Sequence, residues 1–496
     1  MYQRSVLDNQ LRVFTSSMPH TRSVSITLCV GAGSRYETPE LAGVSHFIEH
    51  LPFKGTKSWP TAQAVSEAIE GVGGIMNAST DREMTVFWCK VARIHFRKAL
   101  SVMLDMILNP ILDREEVEKE REIIQEELRM TYDHPTYMVD LLIDEALWPD
   151  QAMGRDVGGT PETVEKISQE SIREYMDQQY NPANTVLAIA GDITHDEVLE
   201  MVGEATHQWK PQESLDWEPV VNSPYEPGVR MDWRRSDQTH ICLALPGLSL
   251  NDPDRYNLTI LNVILGDGMS SRLFQSLREI QGLAYDVSSS NSHFRDCGAL
   301  TVYCGVEPKK SQLAIQGIIH EIKGMHQEVP ESEITKAREY TKGRLLLRME
   351  DTRAVSGWLA SQELLQGEVA TPDEVVQRID EVTPDDVARV AERLLQPEEL
   401  RLAVVGPHRS EARFLKLLHF QVQPYRYQRP RTNGTAGCFS NHGGKMAPTK
   451  SIRVDNLEEA HEEMYRLGWT DGLPVIPPTA KLVNAALDFL RETLKK

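Results

Sequence analysis

The sequence has few cysteines, and no two of them are spaced to hold a metal together. The six are scattered singly along 496 residues, at Cys29, Cys89, Cys242, Cys297, Cys304 and Cys438. A disulfide-stapled protein needs a dense cysteine framework, and a thiolate zinc site needs C-x-x-C pairs. The pattern argues against both and is typical of a protein that resides in a reducing compartment.

Long apolar runs are also missing. No stretch reaches the roughly 18 apolar residues of a membrane-spanning helix. The opening segment, MYQRSVLDNQLRVFTSS, has none of the apolar core of a secretion signal. We therefore expect no membrane partner and a cytoplasmic location.

Positive charge is in deficit. Lysine and arginine number 53 against 73 aspartates and glutamates, which gives a net charge of −20. Phosphate binding requires clustered basic side chains, so nucleic acid is not an expected partner. An acidic surface is typical of a soluble protein, although it leaves open a preference for basic peptides. The length exceeds that of one ordinary core and predicts at least two domains.

An internal repeat is present instead. Three apolar strings of the first half recur in the second half in the same order: ITLCVGAG as ICLALPGL, VFWCKV as TVYCGV, and LAIAG as LAVVG. The offset is the same each time, from Ile26 to Ile241, from Cys89 to Cys304 and from Gly191 to Gly406. One constant offset over three strings indicates a duplicated domain rather than a solenoid of short repeats.

Each copy alternates β-rich strings with helical patterns. The helical patterns of the first copy include a segment capped by Thr61 and a charged helix with an apolar stripe at Val117, Ile124 and Leu128. The pattern predicts an α+β fold of two homologous α/β-layer domains, whose antiparallel-rich sheets are covered by helices.

Composition divides the chain further. The predicted segments are a first repeat domain over 1–210, a linker over 211–228, a second repeat domain over 229–422, a disordered linker over 423–445 and an unrelated extension over 446–496. The extension begins with Met446 after Gly-Gly-Lys, which is what a ribosome-binding site and a start codon would encode if translated. A fusion with a neighbouring gene and a genuine accessory helix both remain open.

The segment GVSHFIEHLPFKGT contains the residues of a candidate metal site. If it is helical, His46 and His50 stand four positions apart on one face, where two imidazoles can reach one ion. Glu49 lies beside them and can point at a metal-bound water without binding the metal itself. The order is the reverse of the H-E-x-x-H zinc motif.

The repeat provides an internal comparison for this motif. At the offset of the repeated strings, the second copy has Leu261, Ile264 and Leu265. Apolar side chains are what a helix packed for structure alone requires. Two histidines and a glutamate at these positions in the first copy therefore indicate a site.

A hydrolytic zinc site usually has a third protein ligand, often a glutamate. The predicted helix over 115–130 offers four candidates, Glu120, Glu122, Glu126 and Glu127. Glu120 and Glu127 are separated by two helical turns, so they share a face, and Ile124 and Leu128 beside them indicate that this face turns inward. The residues alone leave the choice among the four open.

Together these residues resemble the M16 family of metallopeptidases, which carries an inverted zinc motif. The resemblance covers about residues 2 to 420 and rests on GVSHFIEHLPFKGT, NASTDREMTVF, EREIIQEELRM and GMSSRLFQSLREIQGLAYDVSS. It is strongest to the short bacterial members that are similar to processing peptidases. It implies that 1–210 is the catalytic domain and that 229–422 is an inactive repeat.

The resemblance also implies roles for single residues. It assigns His46, His50 and Glu127 as ligands of one Zn2+ per chain, with Glu126 as the alternative third ligand. Glu49 becomes the general base, and Glu120 becomes a supporting carboxylate of the site. Asn77 and Ala78 fall beside the substrate strand, and Arg278 and Tyr285 complete the catalytic site from the inactive half.

The family implies a zinc-dependent endopeptidase acting on peptides or unfolded polypeptide segments by a metal-activated water. Its partners would be the peptide, held as an added strand at a sheet edge, and a second chain, giving a homodimer or a heterodimer with an inactive relative. The alternatives are a non-catalytic subunit of the same architecture and a metal-storage protein. One departure is Pro52, which we expect to end the motif helix early and leave His50 in its last turn.

Overall fold

The computed structural model describes residues 2–221, 228–327 and 329–419. These residues belong to one compact unit. The predicted linker over 423–445 and the extension over 446–496, with the question of its origin, lie outside the described residues. The predicted division into domains at 210 and 229 stays a prediction.

The first half of the chain forms one mixed sheet. Its strands are β1 Gln3–Val6, β2 Arg12–Ser17, β3 Ser23–Val30, β4 Ile75–Thr80, β5 Thr85–Ala92 and β6 Thr185–Gly191. They lie in the order β1-β2-β6-β3-β5-β4, with β2 parallel to β6 and the other neighbours antiparallel. This order places β4 at an edge of the sheet.

This half of the chain also contains α-helices. They are α1 Val44–His50, α2 Ala62–Ile69, α3 Phe96–Leu108, α4 Arg114–Asp133, α5 Pro135–Leu147, α6 Pro161–Lys166, α7 Gln169–Gln179 and α8 His195–Thr206. The Thr61 hydroxyl accepts a hydrogen bond from the Ala64 amide and caps α2, as its sequence predicts. The predicted stripe of α4, Val117, Ile124 and Leu128, is buried in the core.

The second half repeats this arrangement. Its sheet contains β7 Gly228–Trp233, β8 Thr239–Pro246, β9 Ala284–His293, β10 Gly298–Val306 and β11 Arg401–Gly406, in the order β7-β11-β8-β10-β9. The three repeated strings lie on β3 and β8, on β5 and β10, and on β6 and β11, at matching places in the two sheets. The predicted duplication and the α+β fold class are therefore confirmed.

The second half also contains α-helices. They are α9 Arg255–Leu265, α10 Ser311–Gly324, α11 Glu331–Arg348, α12 Thr352–Gln366, α13 Pro372–Asp380, α14 Pro384–Leu394 and α15 Glu411–His419. A π-helical segment, Phe274–Ile280, follows α9. Among the described residues, none of the helices combines the length and the apolar character that crossing a membrane requires.

The two halves exchange one helix each. Helix α5 packs its Val139 and Ile143 against Cys242, Ala244 and their neighbours on the second sheet. Helix α12 of the second half packs in turn on the first sheet, against Phe14, Cys29, Val186 and Ala188. The outer face of each sheet is thus covered by the other half of the chain.

Candidate metal centre

Helix α1 carries the histidine motif and begins at a tightly held turn. The Glu37 carboxylate accepts hydrogen bonds from the Gly43 and Ser45 amides, both at 2.8 Å, which satisfies amide groups that the first turn of a helix leaves unpaired. Gly43 has φ of +95°, a conformation that favours glycine. A Cβ there would also lie 2.5 Å from the Gly158 carbonyl oxygen, so the start of α1 is packed directly against residues 158–159.

The helix ends at His50. A 3-10 turn, Leu51–Lys54, follows with Pro52 at its second position. Proline cannot donate the next helical hydrogen bond, which explains why α1 stops where the sequence predicts. The 3-10 turn carries Lys54 back towards the motif, and this lysine becomes part of the site.

Three side chains converge at the centre of the site. The Nε2 atoms of His46 and His50 are 3.3 Å apart, and Glu127 on α4 places Oε2 at 3.9 Å from the first and 3.7 Å from the second. One donor atom from each residue lies within 4.8 Å of the other two. Glu126 does not join them, since its carboxylate pairs with Arg129 at 2.8 Å and its side chain is 64% exposed.

A second layer of charge supports His50. The Nδ1 atom of His50 donates to Oε1 of Glu120 at 2.9 Å, and the other oxygen of Glu120 pairs with the Lys54 ammonium. Glu120 is only 3% exposed. Because the carboxylate can only accept, the proton of neutral His50 lies on Nδ1, and Nε2 presents its lone pair to the centre. Lys54 is the residue of this layer that sequence reasoning missed, although it lies within the segment GVSHFIEHLPFKGT, four positions after His50.

Of the two glutamates on the shared face of α4, only Glu120 is buried as predicted. The Glu127 side chain is 50% exposed and stands at the rim of the site. The difference arises because Glu120 lies two turns earlier on α4, where this helix packs against the 3-10 turn. A half-exposed carboxylate remains accessible to solvent and to a bound ligand.

The pKa values of the two histidines shift in opposite directions. Burial lowers the pKa of His46, and the charge of His50 lowers it further. Burial also opposes protonation of His50, but the hydrogen bond and charge of Glu120, with the charge of Glu127, outweigh it and raise the pKa. The pKa of Glu120 is lowered despite its burial, because His50 and Lys54 both bond to it. The neutral imidazole that a metal requires is therefore favoured at His46.

Glu49 and β4 flank the three side chains. Glu49 is half-buried on α1, between the two histidines in sequence. Asn77 and Ala78 lie on the edge strand β4, with Asn77 exposed and Ala78 buried on the opposite face. Helix α1 packs directly on β4, so the predicted substrate strand and the histidine motif are neighbours.

Arg278 and Tyr285 lie in the second half. The Arg278 guanidinium sits 5.5 Å from the Tyr285 ring and 4.8 Å from that of Phe274, within the π-helical segment and the start of β9. Tyr285 is 76% exposed. The structure therefore brings these two predicted residues to each other, and their contact with the three converging side chains stays a prediction.

The donor set fits zinc. Two imidazole nitrogens and a carboxylate oxygen are the ligands of hydrolytic zinc sites that keep one position open. A tetrahedral centre with ligand distances of about 2.1 Å separates its donor atoms by about 3.4 Å. The two Nε2 atoms already have this spacing at 3.3 Å, and Glu127 is a few tenths of an ångström farther away.

Comparison with known proteins identifies the family of this chain. The sequence profile of insulinase (peptidase family M16) matches residues 12–161, and that of the peptidase M16 inactive domain matches residues 166–340. An uncharacterized zinc protease of Streptomyces coelicolor is 36% identical over 412 residues, covering 82% of this chain and 89% of that protein. The uncharacterized zinc protease YmxG of Bacillus subtilis is 33% identical over 417 residues, covering 82% and 98%.

Solved structures show the same fold. A protease from Helicobacter pylori superposes with a TM-score of 0.75 at 21% identity, covering 82% of this chain and 99% of that chain. A peptidase M16 inactive domain from Pseudomonas fluorescens gives a TM-score of 0.76 at 17% identity, with the same coverage. Because two profiles of one family match in succession and both zinc proteases align over most of its length, this chain belongs to peptidase family M16.

Proposed function

We propose that the protein is a zinc-dependent endopeptidase that hydrolyses peptides or unfolded polypeptide segments. The observation that carries the proposal is the convergence of His46, His50 and Glu127 beside Glu49. Each chain would hold one zinc ion through these three side chains. The printed names of the relatives, which are zinc proteases, support this assignment.

The residues of the site divide the chemistry between them. Zinc, when bound, supplies Lewis-acid chemistry that makes a water acidic near neutral pH and polarises a carbonyl group. Glu49 takes the proton from the attacking water and delivers it to the amide nitrogen as the C–N bond breaks. Glu120 and Lys54 keep His50 oriented throughout.

The substrate would bind along the edge of the first sheet. Within the described residues, β4 has β5 on one side and no strand on the other, so its free backbone groups can pair with an extended peptide. Asn77 would contact that peptide from the exposed face of β4. Arg278 and Tyr285 would donate hydrogen bonds to the oxygen that becomes negatively charged in the transition state.

A second chain would enclose the bound peptide together with this one. We propose a homodimer or a heterodimer with an inactive M16-like chain, located in the cytoplasm. The reciprocal exchange of α5 and α12 supports this view, because it makes the two halves of one chain a single building block. The mass of the purified protein in solution would test it directly.

The decisive experiment compares the wild type with Glu49→Gln and with Glu126→Gln as a matched control. Each protein is assayed for zinc content and for cleavage of a mixed library of quenched peptides. Loss of a general base costs at least about 100-fold in rate, so Glu49→Gln should retain zinc and lose cleavage. Glu126→Gln should behave as the wild type, because its carboxylate pairs with Arg129 on the surface.

Other outcomes have definite meanings. Cleavage by Glu49→Gln at the wild-type rate would remove Glu49 from the mechanism. Zinc in every protein without cleavage of any peptide would favour the non-catalytic subunit. Absence of zinc from the wild type would contradict the proposed centre itself.

A further inference from the structure

The Nδ1 atom of His46 has no assigned role in the candidate metal centre. Nδ1 of His46 is buried and, in the described part of the chain, has no hydrogen-bond partner. In contrast, Nδ1 of His50 donates to Glu120. If Nε2 of His46 gives its lone pair to a metal, the proton of the neutral ring must lie on Nδ1. A buried N–H without an acceptor costs about 1–3 kcal/mol, so a metal-bound His46 requires one.

Asp156 is a carboxylate that lies near Nδ1 of His46. A Cβ built on Gly158 would lie 3.6 Å from Nδ1 of His46 and 3.5 Å from Oδ1 of Asp156, so both atoms border the same small space. Oδ1 also accepts a hydrogen bond from the Gly158 amide at 2.9 Å, which holds the carboxylate in this orientation. Because residue 158 has no side chain, no Cβ stands between the two atoms.

The surrounding packing keeps this arrangement in place. A Cβ on Gly159 would lie 2.3 Å from the Ala42 carbonyl oxygen, so this segment is fitted against the residues that precede α1. Leu128 of α4 borders the same point, with Cδ2 at 2.9 Å from the Cβ position of Gly158. Burial raises the pKa of Asp156, and the charge of His46 offsets part of that rise. In turn, the charge of Asp156 favours the protonated form of His46.

We propose that Asp156 is a positioning residue for His46, accepting the Nδ1 hydrogen bond through one water held in the space beside Gly158. The inference rests on the proposed metal centre and assigns to His46 the counterpart of Glu120. It would fix the ring orientation and the tautomer of His46. Carboxylates in this role typically raise metal affinity about 10- to 100-fold.

The test measures zinc affinity of the full chain by competition with a chromophoric chelator. Asp156→Ala should weaken zinc binding at least about 10-fold. Asp156→Asn should lose less, because its amide oxygen still accepts a hydrogen bond. Gly158→Ala should reproduce the loss although it keeps the carboxylate, since its methyl group occupies the space. Glu162→Gln, which changes an exposed carboxylate on α6, is the matched control and should bind zinc as the wild type does.

Two further readouts separate positioning from a general structural role. Cobalt-substituted protein reports ligand geometry through its visible absorption, and the spectrum should change in Asp156→Ala and remain unchanged in Glu162→Gln. Thermal unfolding of the metal-free proteins should differ little, whereas the stabilisation added by zinc should shrink in Asp156→Ala. A uniform loss of stability with unchanged zinc affinity would overturn the proposal.

The proposed function and this inference can fail separately. If the wild type binds zinc and cleaves no peptide, the peptidase assignment fails, and the affinity of Asp156→Ala still decides the role of Asp156. Equal zinc affinity in Asp156→Ala and the wild type would overturn the inference while leaving the peptidase intact. A wild type without zinc affinity would overturn both.

Discussion

At the scale of single residues, two charged side chains support His50. Lys54 pairs with Glu120, and Glu120 accepts the hydrogen bond of His50. Glu120 holds the Nδ1 proton of His50, so the neutral imidazole presents the lone pair of Nε2 to the centre. The corresponding residues of the second half, Leu261, Ile264 and Leu265, are buried and apolar, and that half has no comparable centre among its described residues.

Removing the charge of Glu120 should weaken the metal site. Glu120→Gln preserves the size of the side chain but leaves the Lys54 ammonium beside a neutral amide and weakens the hydrogen bond from His50. We expect zinc affinity to fall about 10- to 100-fold, measured by chelator competition. Glu122→Gln, which changes an exposed carboxylate of the same helix, should have no effect. Equal affinities for the two variants would show that Glu120 does not support the site.

At the scale of secondary-structure elements, surface charges join the start of α9 to α14. The Asp254 carboxylate, whose side chain is 12% exposed, pairs with Arg389 at 2.6 Å and with Arg393 at 3.2 Å. Burial opposes its ionisation, but the bonds to Arg389, Asn257 and Arg393 outweigh that effect and lower its pKa below the ordinary value of an aspartate. The ionised form is therefore the one that stabilises the fold.

This interaction predicts a pH-dependent loss of stability. A lowered pKa gives stability that is present above the unfolded pKa and is lost as the pH falls through the folded pKa. Asp254→Asn should lower the free energy of unfolding by about 1 kcal/mol at pH 7, since both arginines are half-exposed and screened by solvent. The difference should narrow in acid, because the carboxylate takes up a proton in the unfolded state below the ordinary pKa of an aspartate and in the folded state only below its lowered pKa.

Urea unfolding at pH 7 and at pH 3 measures this effect. Glu392→Gln, on an exposed position of α14, serves as the control and should show no such pH dependence. High salt should also reduce the difference at pH 7, because partly exposed charges are screened. A difference between Asp254→Asn and the wild type that is the same at both pH values would contradict the electrostatic origin.

At the scale of the whole molecule, a buried arginine joins the two halves. Arg35, which is 1% exposed, donates to Glu83 at 2.6 Å and to Asp296 at 3.0 Å. It also donates to the Glu218 carbonyl oxygen at 2.7 Å and lies over the Trp217 ring. The first half, the described part of the connecting segment and the second half therefore meet at one side chain.

Replacing this arginine should destabilise the molecule strongly. Arg35→Met leaves the Glu83 carboxylate buried without its ion pair, which typically costs about 3–5 kcal/mol. The double variant Arg35→Met with Glu83→Gln should recover part of the loss, because Glu83 then carries no uncompensated charge. Chemical denaturation of both proteins measures the effect. An unchanged midpoint for Arg35→Met would show that the junction contributes nothing to stability.

The helix exchange predicts that neither half is stable alone. A fragment of residues 1–210 lacks α12, so Phe14, Val186 and Ala188 on the outer face of its sheet would be exposed to water. We expect this fragment to aggregate when expressed alone and to become soluble when residues 211–426 are produced with it. Size-exclusion chromatography distinguishes the two cases. A monomeric, cooperatively unfolding 1–210 fragment would contradict the structural role of α12.

The local features of this protein follow from its sequence. The spacing of His46, Glu49 and His50 predicts a shared helix face because an α-helix has about 3.6 residues per turn, and Pro52 predicts where that helix ends. The constant offset between the repeated strings predicts two sheets of related topology, since the same order of apolar strings specifies the same elements twice. Glu120 and Glu127, two turns apart on α4, are identifiable as a pair for the same reason.

Only the tertiary structure decided which distant groups meet. The choice between Glu126 and Glu127 depends on how α4 packs beside α1, and the sequence alone leaves both open. Lys54 follows His50 by four positions, but the α-helix ends between them, so the spacing alone does not predict their approach. Asp156 is distant in sequence and comes near His46 only because its glycine-containing segment packs against the start of α1. The sequence also does not predict that α5 and α12 pack on the sheet of the other half. Helical and strand periodicity reports which face of an element is buried, but not which partner covers it.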